Sequence, residues 1–591
     1  MPSAVTATEL TPLCDVSELA AGRKVVRAGA KQIAVFRVED RFYAIDNRCP
    51  HMGYPLSMGT LKGEALTCDW HNWKFDLADG RCVLRGSEDV RSYPVTVSGG
   101  RVLADLHDLP IEEQMANGLE NLRRGLKRFD QGGIARDAVR LLTLGMAPAE
   151  LMRLGAVHNA EREEFGWGHA LAVIADCASL TEFYTGDEAA LPVVQALWAA
   201  AEPVRHYRLR PHADATHADR EGESEFRRRI EDEDVDGAEA WLRGAIDGGL
   251  PAAELSRWLV NAASDHFLGF GHQAIYVFKA HQFARRVGWE GMAEVIPSIV
   301  PSIAWATRYD RLPEMRKYIA RLRAIEETLP AIAVRQRRPS GATFNAERFR
   351  GEVLHGKGDA AFEAVHGALA GGVAAGHVAQ ELALAASERL LRMDLDWETS
   401  HDERVWDEGG WLEVTHLLTH ANASRQLLSE GVTAEALRNL YHNAWFINYQ
   451  KRFDHTDGSR VDRGALPEPR GGTPDELAFE YRAAVQGKRY EEAMGIVRAW
   501  GTRGLPKTAL LSAMAHEAME ANDGDFISMA HVLKTTHAAI EEHRNLGNGA
   551  ESDLPLMAAT RYIASPRKER AVYDAALNSV KFVRSGAARA V

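Results

Sequence analysis

Between Arg23 and Leu106 the apolar and polar positions are patterned as strands, and beyond about Leu109 they recur with the 3.6-residue period of helices. Ile33 to Val38 and Phe42 to Ile45 flank Glu39-Asp40, and Val95 to Val97 and Val102-Leu103 flank Gly99-Gly100, so both segments predict hairpins. The rest is rich in Ala, Leu, Arg and Glu with few β-branched runs, which predicts helix. The expected fold class is multidomain, an N-terminal all-β domain over residues 1–108 followed by a large all-α domain over residues 109–591.

The helical part repeats. A glycine followed by a proline, a helix end followed by a helix start, stands at Gly145-Met146-Ala147-Pro148, Gly249-Leu250-Pro251 and Gly504-Leu505-Pro506, with Gly376-His377-Val378 as a degenerate copy. Ten residues beyond the proline position come His158, Asn261, Glu388 and His516, and further on each copy places one histidine on its next helix: His169, His272, His416 and His531. Leu191-Pro192, Ile296-Pro297 and Leu554-Pro555 then open a third helix. The third copy carries an insertion rich in Asp, Glu and Arg. Four divergent copies of this size exceed ordinary solenoid repeats.

A length of 591 residues is too great for one core. The net charge of −13 comes without a basic run or an aromatic-basic stripe, so no nucleic-acid partner is expected. The longest apolar stretch, near Met292 to Ala306, is interrupted by Glu294, Pro297 and Pro301 and is too short to span a bilayer, so no membrane is expected either. The chain opens without a secretory pattern. Cys14, Cys82 and Cys177 are too scattered for a disulfide framework, which points to the reducing cytoplasm.

Cys49-Pro50-His51 and, after a sixteen-residue interval, Cys68-Asp69-Trp70-His71 have the spacing of a Rieske [2Fe–2S] site, two thiolates on one iron and two imidazoles on the other. Gly53, Leu56, Ser57 and Gly59 follow the first pair; Trp73, Phe75, Asp76, Leu77, Gly80 and Cys82 follow the second. Over roughly residues 10–107 this resembles Rieske ferredoxins and the Rieske domains of oxygenases. Against the respiratory-complex type, Met52 to Ser57 contains no cysteine and the two hydroxyl positions are Trp73 and Phe75. Without those donors the reduced cluster is less stabilised, so a midpoint toward the low end, about −150 mV, is expected.

A histidine at an equivalent place in four duplicated units implies convergence if the units share a centre. Imidazole suits iron, copper, zinc or nickel, and beside an electron-supplying cluster iron is the most economical choice. The alternative is four core histidines. Lys534, one turn after His531, is an auxiliary candidate, neutral through a depressed pKa or carrying a ligating carbamate. His158, His516, Glu388 and His420 are further auxiliary candidates, and Lys279 reads as a salt-bridge residue. Glu413-x-x-His416-x-x-x-His420 superficially resembles the iron site of Rieske ring oxygenases, but that family builds it on a large sheet, so it is not carried over. A di-iron site would draw on Glu363-x-x-His366 and Glu413-x-x-His416.

Gly269-Phe270-Gly271-His272 with Ile275 and Ala280, and His531-Val532-Leu533-Lys534 with Ala538, resemble pieces of questin oxidase-like proteins. That resemblance implies an iron-dependent oxidation of an aromatic or polyketide-like substrate with O₂. The expectation is thus a Rieske-fed non-haem iron oxygenase, served by a reductase, with electrons entering at the cluster through exposed His51 and His71. Trp167, Phe270, Tyr276, Trp411, Trp445 and Phe446 are candidate pocket walls. The rivals are an electron-transfer adaptor whose repeats bind a protein partner without a second metal, and a di-iron oxygenase.

Overall fold

The strand-patterned segment forms β1 (Thr11–Asp15), β2 (Arg23–Ala28), β3 (Lys31–Val38), β4 (Arg41–Asp46), β5 (Thr60–Lys62) and β6 (Ala65–Thr67). It continues with β7 (Lys74–Asp76), β8 (Cys82–Leu84), β9 (Ser92–Tyr93), β10 (Val95–Ser98) and β11 (Arg101–Ala104). They pair antiparallel in three sheets, ordered β1-β11-β10, β2-β3-β4-β9 and β5-β6-β7-β8. Both expected hairpins are present. Gly99 and Gly100 at φ 57° and 76° make the β10–β11 turn in the left-handed region, whose twist matches that of the strands. Phe36, Ile45, Leu56, Leu66, Phe75 and Leu77 form a core against which Cys49 and Cys68 are buried. This is a computed structural model, and it describes residues 10–84, 88–210, 212–218, 222–338, 341–395, 410–520, 526–547, 549, 551–565 and 571–584. Residues 396–409, within the expected insertion, lie outside them.

The change from strand to helix falls between β11 and the helix Ile111–Arg128, and helices fill the remainder. The compact units divide elsewhere. One comprises Met1–Leu151, Thr185–Ala201 and Val572–Val591, and the other Met152–Tyr184 and Glu202–Ala571. The first unit extends past residue 108 because Glu88, in the connection between β8 and β9, is buried in ion pairs with Arg136 and Arg140 of the helix Gln131–Thr143.

In the second unit the helices His169–Leu180, His272–Gly291, Gly410–Glu430 and Phe526–Leu546 pack each on the next and the last on the first, closing a ring. Seven residues beyond two of the histidines, Lys279 and Asp176 meet in a buried ion pair of 2.5 Å, and His537 lies 3.2 Å from the same carboxylate. Partners recur in the same order two turns along, so these three helices run in one direction. Parallel neighbours require return segments. Each of the four is preceded by another helix, Pro148–Ala160, Ala252–Ser264, Ala375–Arg392 and Thr508–Glu520 respectively.

The start signals can be checked against these helices. Gly145, Gly249 and Gly504 are left-handed, at φ 96°, 77° and 64°, and each closes the preceding helix with the same pair of backbone bonds. In the third copy that geometry belongs to Gly372 (φ 88°), whereas Gly376 lies inside the helix Ala375–Arg392. Ala374 at the helix start, where two of the other copies have proline, removes the signal. Counted from Gly372, the position matching His158, Asn261 and His516 falls near Leu384, not Glu388. The aligned polar set is therefore incomplete.

Candidate metal centres

The two cysteine–histidine pairs sit on loops of one design. Cys49 N–H donates to Tyr54 O and Gly53 N–H to Cys49 O, at 2.8 and 2.7 Å; Cys68 N–H donates to Trp73 O and Asn72 N–H to Cys68 O, at 2.8 and 2.9 Å. Gly53 and Asn72, each four residues past its cysteine, take φ 77° and 61°. Both thiols thus start a tight turn whose tip presents a histidine. The rings of His51 and His71 meet edge to face at 4.6 Å, and Trp73 stacks on His51 at 4.7 Å. Burial pushes the Cys49 thiol up, so the thiolate form needs a cation in place, which an iron pair supplies. The donor set fits a [2Fe–2S] cluster. His71 is exposed beside the half-exposed Trp70, but His51, expected to be exposed, is half-buried. All five cysteines are free.

The second centre lies where the four-helix ring gathers His169, His272, His416 and His531, whose ligand nitrogens all lie within 4.8 Å of one another. His169 and His272 open their helices; His416 and His531 stand about one and a half turns into theirs. Nε2 of His272 is 3.1 Å from that of His169 and 2.8 Å from that of His416, which is 3.2 Å from that of His531. Ring contacts follow the same cycle, at 4.8, 4.3, 4.7 and 5.0 Å round from His169 and back to it. Four contacts along the sides describe a square. Separations of 2.8 to 3.2 Å between neighbouring nitrogens are of the size that imidazoles sharing one metal ion would show.

The outer nitrogens fix the tautomers. Nδ1–H of His272 donates to Gly269 O, that of His416 to Leu412 O, and that of His531 to Ile527 O at 2.7 Å, while Nδ1 of His169 faces the Tyr276 hydroxyl at 3.3 Å. Three Nε2 atoms are thereby lone pairs aimed inward. Such lone pairs about 3 Å apart repel unless a cation lies between them. Protons are a poor substitute, because burial, aided by the charge of Lys534, holds all four imidazoles below their ordinary range, His272 at about 3. The residues fit a metal ion.

Lys534 is fully buried and its Nζ has no hydrogen-bond partner among the described residues; burial lowers its pKa to about 7. Lys279 is the salt-bridge residue expected, paired with Asp176. The other auxiliary candidates are engaged elsewhere. His158 is buried on its helix, with its pKa lowered to about 3, and Glu388 pairs with Arg392 and Arg460. His516 packs on Tyr184, and His420 is buried against Phe267 and Asn443. None of these four lines the pocket described next. Nor do the di-iron candidates meet: His366 faces the Tyr441 hydroxyl, and Glu363 pairs with Arg321.

A cavity of about 580 Å³ opens onto all four histidines. Phe270, Trp445 and Phe446 line it as expected, joined by Phe267, Tyr309 and Tyr449. Of the other expected walls, Trp167 is core, Tyr276 stands behind His169, and Trp411 packs on Tyr562. Arg452 adds charge at the edge, paired with Glu413 and lying over the Tyr449 ring. The motif Gly269-Phe270-Gly271 is left-handed throughout, at φ 45°, 58° and 87°, and turns Phe270 into the wall, 4.2 Å from Tyr309, just before His272. A Cβ on Gly271 would stand 2.6 Å from the His420 ring. Gly271→Ala is expected to destabilise the second unit by about 2–3 kcal/mol, read as a lowered denaturation midpoint.

The strand segment, with its two cysteine–histidine turns, defines a Rieske iron–sulfur protein. Residues 9–94 match the Rieske [2Fe-2S] domain family, and through this part the chain belongs to that family, alongside the ferredoxin components of oxygenase systems. It is 33% identical over 108 residues, 18% of this chain and 92% of the other, to the ferredoxin component of a p-cumate 2,3-dioxygenase system from Pseudomonas putida. It is 33% identical over 106 residues, 18% of this chain and 87% of the other, to the ferredoxin component of an alkene monooxygenase system from Xanthobacter autotrophicus. Among solved structures, Sphingomonas yanoikuyae B1 ferredoxin matches at 26% identity over 17% of this chain and 100% of its own, with a TM-score of 0.16. No helix among the described residues is long and apolar enough to cross a membrane. Cys68→Ala is expected to abolish the Rieske absorption and the reduced-state electron-spin resonance signal while far-UV circular dichroism stays near wild type, because the second unit has its own core.

Proposed function

We propose that this chain is a Rieske-fed, non-haem iron oxygenase acting on an organic, aromatic or polyketide-like substrate. The observation that carries the reading is the square of four inward imidazoles opening onto an aromatic cavity, in a chain that also carries a Rieske domain. His169, His272, His416 and His531 would hold iron, which would supply activation of O₂ with electrons from the cluster. The backbone carbonyls of Gly269, Leu412 and Ile527 keep three of these rings neutral and aimed. Phe267, Phe270, Tyr309, Trp445 and Phe446 would grip a planar substrate and exclude water, in a volume typical of small-molecule sites. Arg452 would orient an anionic or phenolic oxygen at the cavity edge. Lys534 is the auxiliary ligand candidate, since an amine with its pKa near 7 takes up CO₂ as a carbamate. The partners are an electron-donating reductase, the organic substrate and O₂, and the proposed compartment is the cytoplasm.

Iron per chain, measured on protein purified and loaded anaerobically, tests the reading. About three irons are expected, two in the cluster and one in the square. Two irons and no other transition metal would replace the oxygenase by the electron-transfer adaptor.

A further inference from the structure

The four corners of the square are not alike. Nδ1–H of His272, His416 and His531 each donates to a main-chain carbonyl. A carbonyl only accepts, so the proton of these three rings is fixed on the outer nitrogen. Nδ1 of His169 instead faces a hydroxyl, Tyr276 Oη, at 3.3 Å. A hydroxyl donates or accepts, which leaves the His169 proton free to sit on either nitrogen.

The local backbone makes the difference. His169 and His272 both open a helix behind a glycine-aromatic-glycine run, Gly166-Trp167-Gly168 and Gly269-Phe270-Gly271. In the second run all three residues are left-handed, which curls the Gly269 carbonyl back to Nδ1 of His272. In the first run only Gly166 is left-handed, at φ 77°, while Gly168 is extended at φ −127° and ψ −167°, and the Trp167 N–H is tied to Ser298 O at 2.6 Å. Among the described residues no carbonyl bonds Nδ1 of His169, and Tyr276, one turn after His272, stands in that place.

The hydroxyl hydrogen favours one arrangement. Tyr276 is buried, and among the described residues its Oη has no hydrogen-bond partner other than His169 Nδ1. Its hydrogen is satisfied when Nδ1 is a lone pair. Nε2 of His169 then carries the ring proton and donates it to the Nε2 lone pair of His272, 3.1 Å away. Ligation by His169 needs the opposite tautomer, in which Nδ1–H donates to Oη and the phenolic hydrogen is left buried without an acceptor. The bond to the hydroxyl is kept, but a buried donor goes unmade, which is costly.

We propose, resting on the reading of the square as an iron site, that Tyr276 makes His169 the detachable corner, with the metal held firmly by His272, His416 and His531 and a coordination position opened when His169 lets go. No group changes charge. One proton moves between the two nitrogens of a neutral ring while the hydroxyl reverses its direction. Tyr276 is thus a positioning residue that acts through His169. A metal that works on O₂ needs a free position, and a three-imidazole hold with a releasable fourth ring provides one.

Anaerobic Fe(II) titration of the full-length, cluster-loaded chain tests this through affinity, without turnover. Tyr276→Phe removes the hydrogen that ligation strands, so Fe(II) should bind about tenfold more tightly than in wild type. A partner that merely orients its ligand predicts the reverse, a loss of about 10–100-fold. His169→Ala should still bind about one Fe(II) beyond the cluster, and adding Tyr276→Phe to it should leave the affinity unchanged, because the hydroxyl acts only through that ring. Equal or weaker binding in Tyr276→Phe overturns the proposal, as does a square emptied by His169→Ala or an affinity that differs between His169→Ala and the double variant. If Tyr276→Phe does not fold, His169→Ala decides alone. A wild-type chain that takes up no Fe(II) beyond its cluster overturns the iron reading itself and the detachable corner with it, whereas the variant outcomes strike the corner alone.

Discussion

Replacing His272 or His531 by alanine is expected to lower total iron from about three per chain toward two, with the Rieske spectrum intact and substrate-dependent O₂ consumption lost. Each side chain supplies one corner of a square whose neighbours are 2.8 to 3.2 Å away. An alanine leaves three nitrogens and a gap that the helix backbone cannot close. His272 is the stricter case, because its place is fixed by the left-handed Gly269-Phe270-Gly271 turn as well as by its helix. Had these been ordinary core histidines, their loss would lower stability and leave iron unchanged. Lys534→Ala separates a further question: iron falls with it only if the amine, or a carbamate on it, also binds. His158→Ala and His516→Ala should keep full iron, since neither lines the cavity.

The Rieske ligands were legible in the sequence because their chemistry is local. Each cysteine and histidine pair belongs to one turn, and Gly53 marks the left-handed position that shapes the first. The four histidines were legible for another reason, recurrence at matching places in a repeated pattern, which local residues alone would not have revealed. Phe267, Tyr309, Tyr449 and Arg452 were missed. They stand at or near the ends of helices and in the short turns between them, outside the repeated positions, and only the packing of the ring brings them to one cavity. The third copy misled because its glycine and helix start, Gly372 and Ala374, lack the proline that punctuates the other three. His51 read as exposed because Phe582, which packs against Gly53 of its loop, lies some 530 positions further along the chain.

Without bound metal, the second unit is expected to unfold in acid between about pH 4 and 5, at the upper end of the range in which carboxylate pairing fails. The cause is a set of buried neutral imidazoles. Burial lowers His158, His272, His442 and His537 to about 3, and His281 and His420 to about 4. In the unfolded chain each returns to about 6.5. Below 6.5 the unfolded state therefore binds the extra protons, so stability is complete above that pH and falls as pH drops toward the folded values. Each group contributes a slope of about 1.4 kcal/mol per pH unit, and four together exhaust a stability of about 5–15 kcal/mol within roughly one to three units. Iron(II) held by His272 and its neighbours, as proposed, would bind the folded state only, so adding it should move the acid midpoint down. Circular dichroism through an acid titration, with and without metal, measures both effects. His442→Phe is the sharpest variant: its Nδ1 is buried against Phe267 without a partner among the described residues, so the ring exchange should reduce the slope by about one proton and leave the iron content unchanged. A metal-free second unit whose stability stays level from pH 7 to pH 4 would show that these imidazoles take up protons without unfolding.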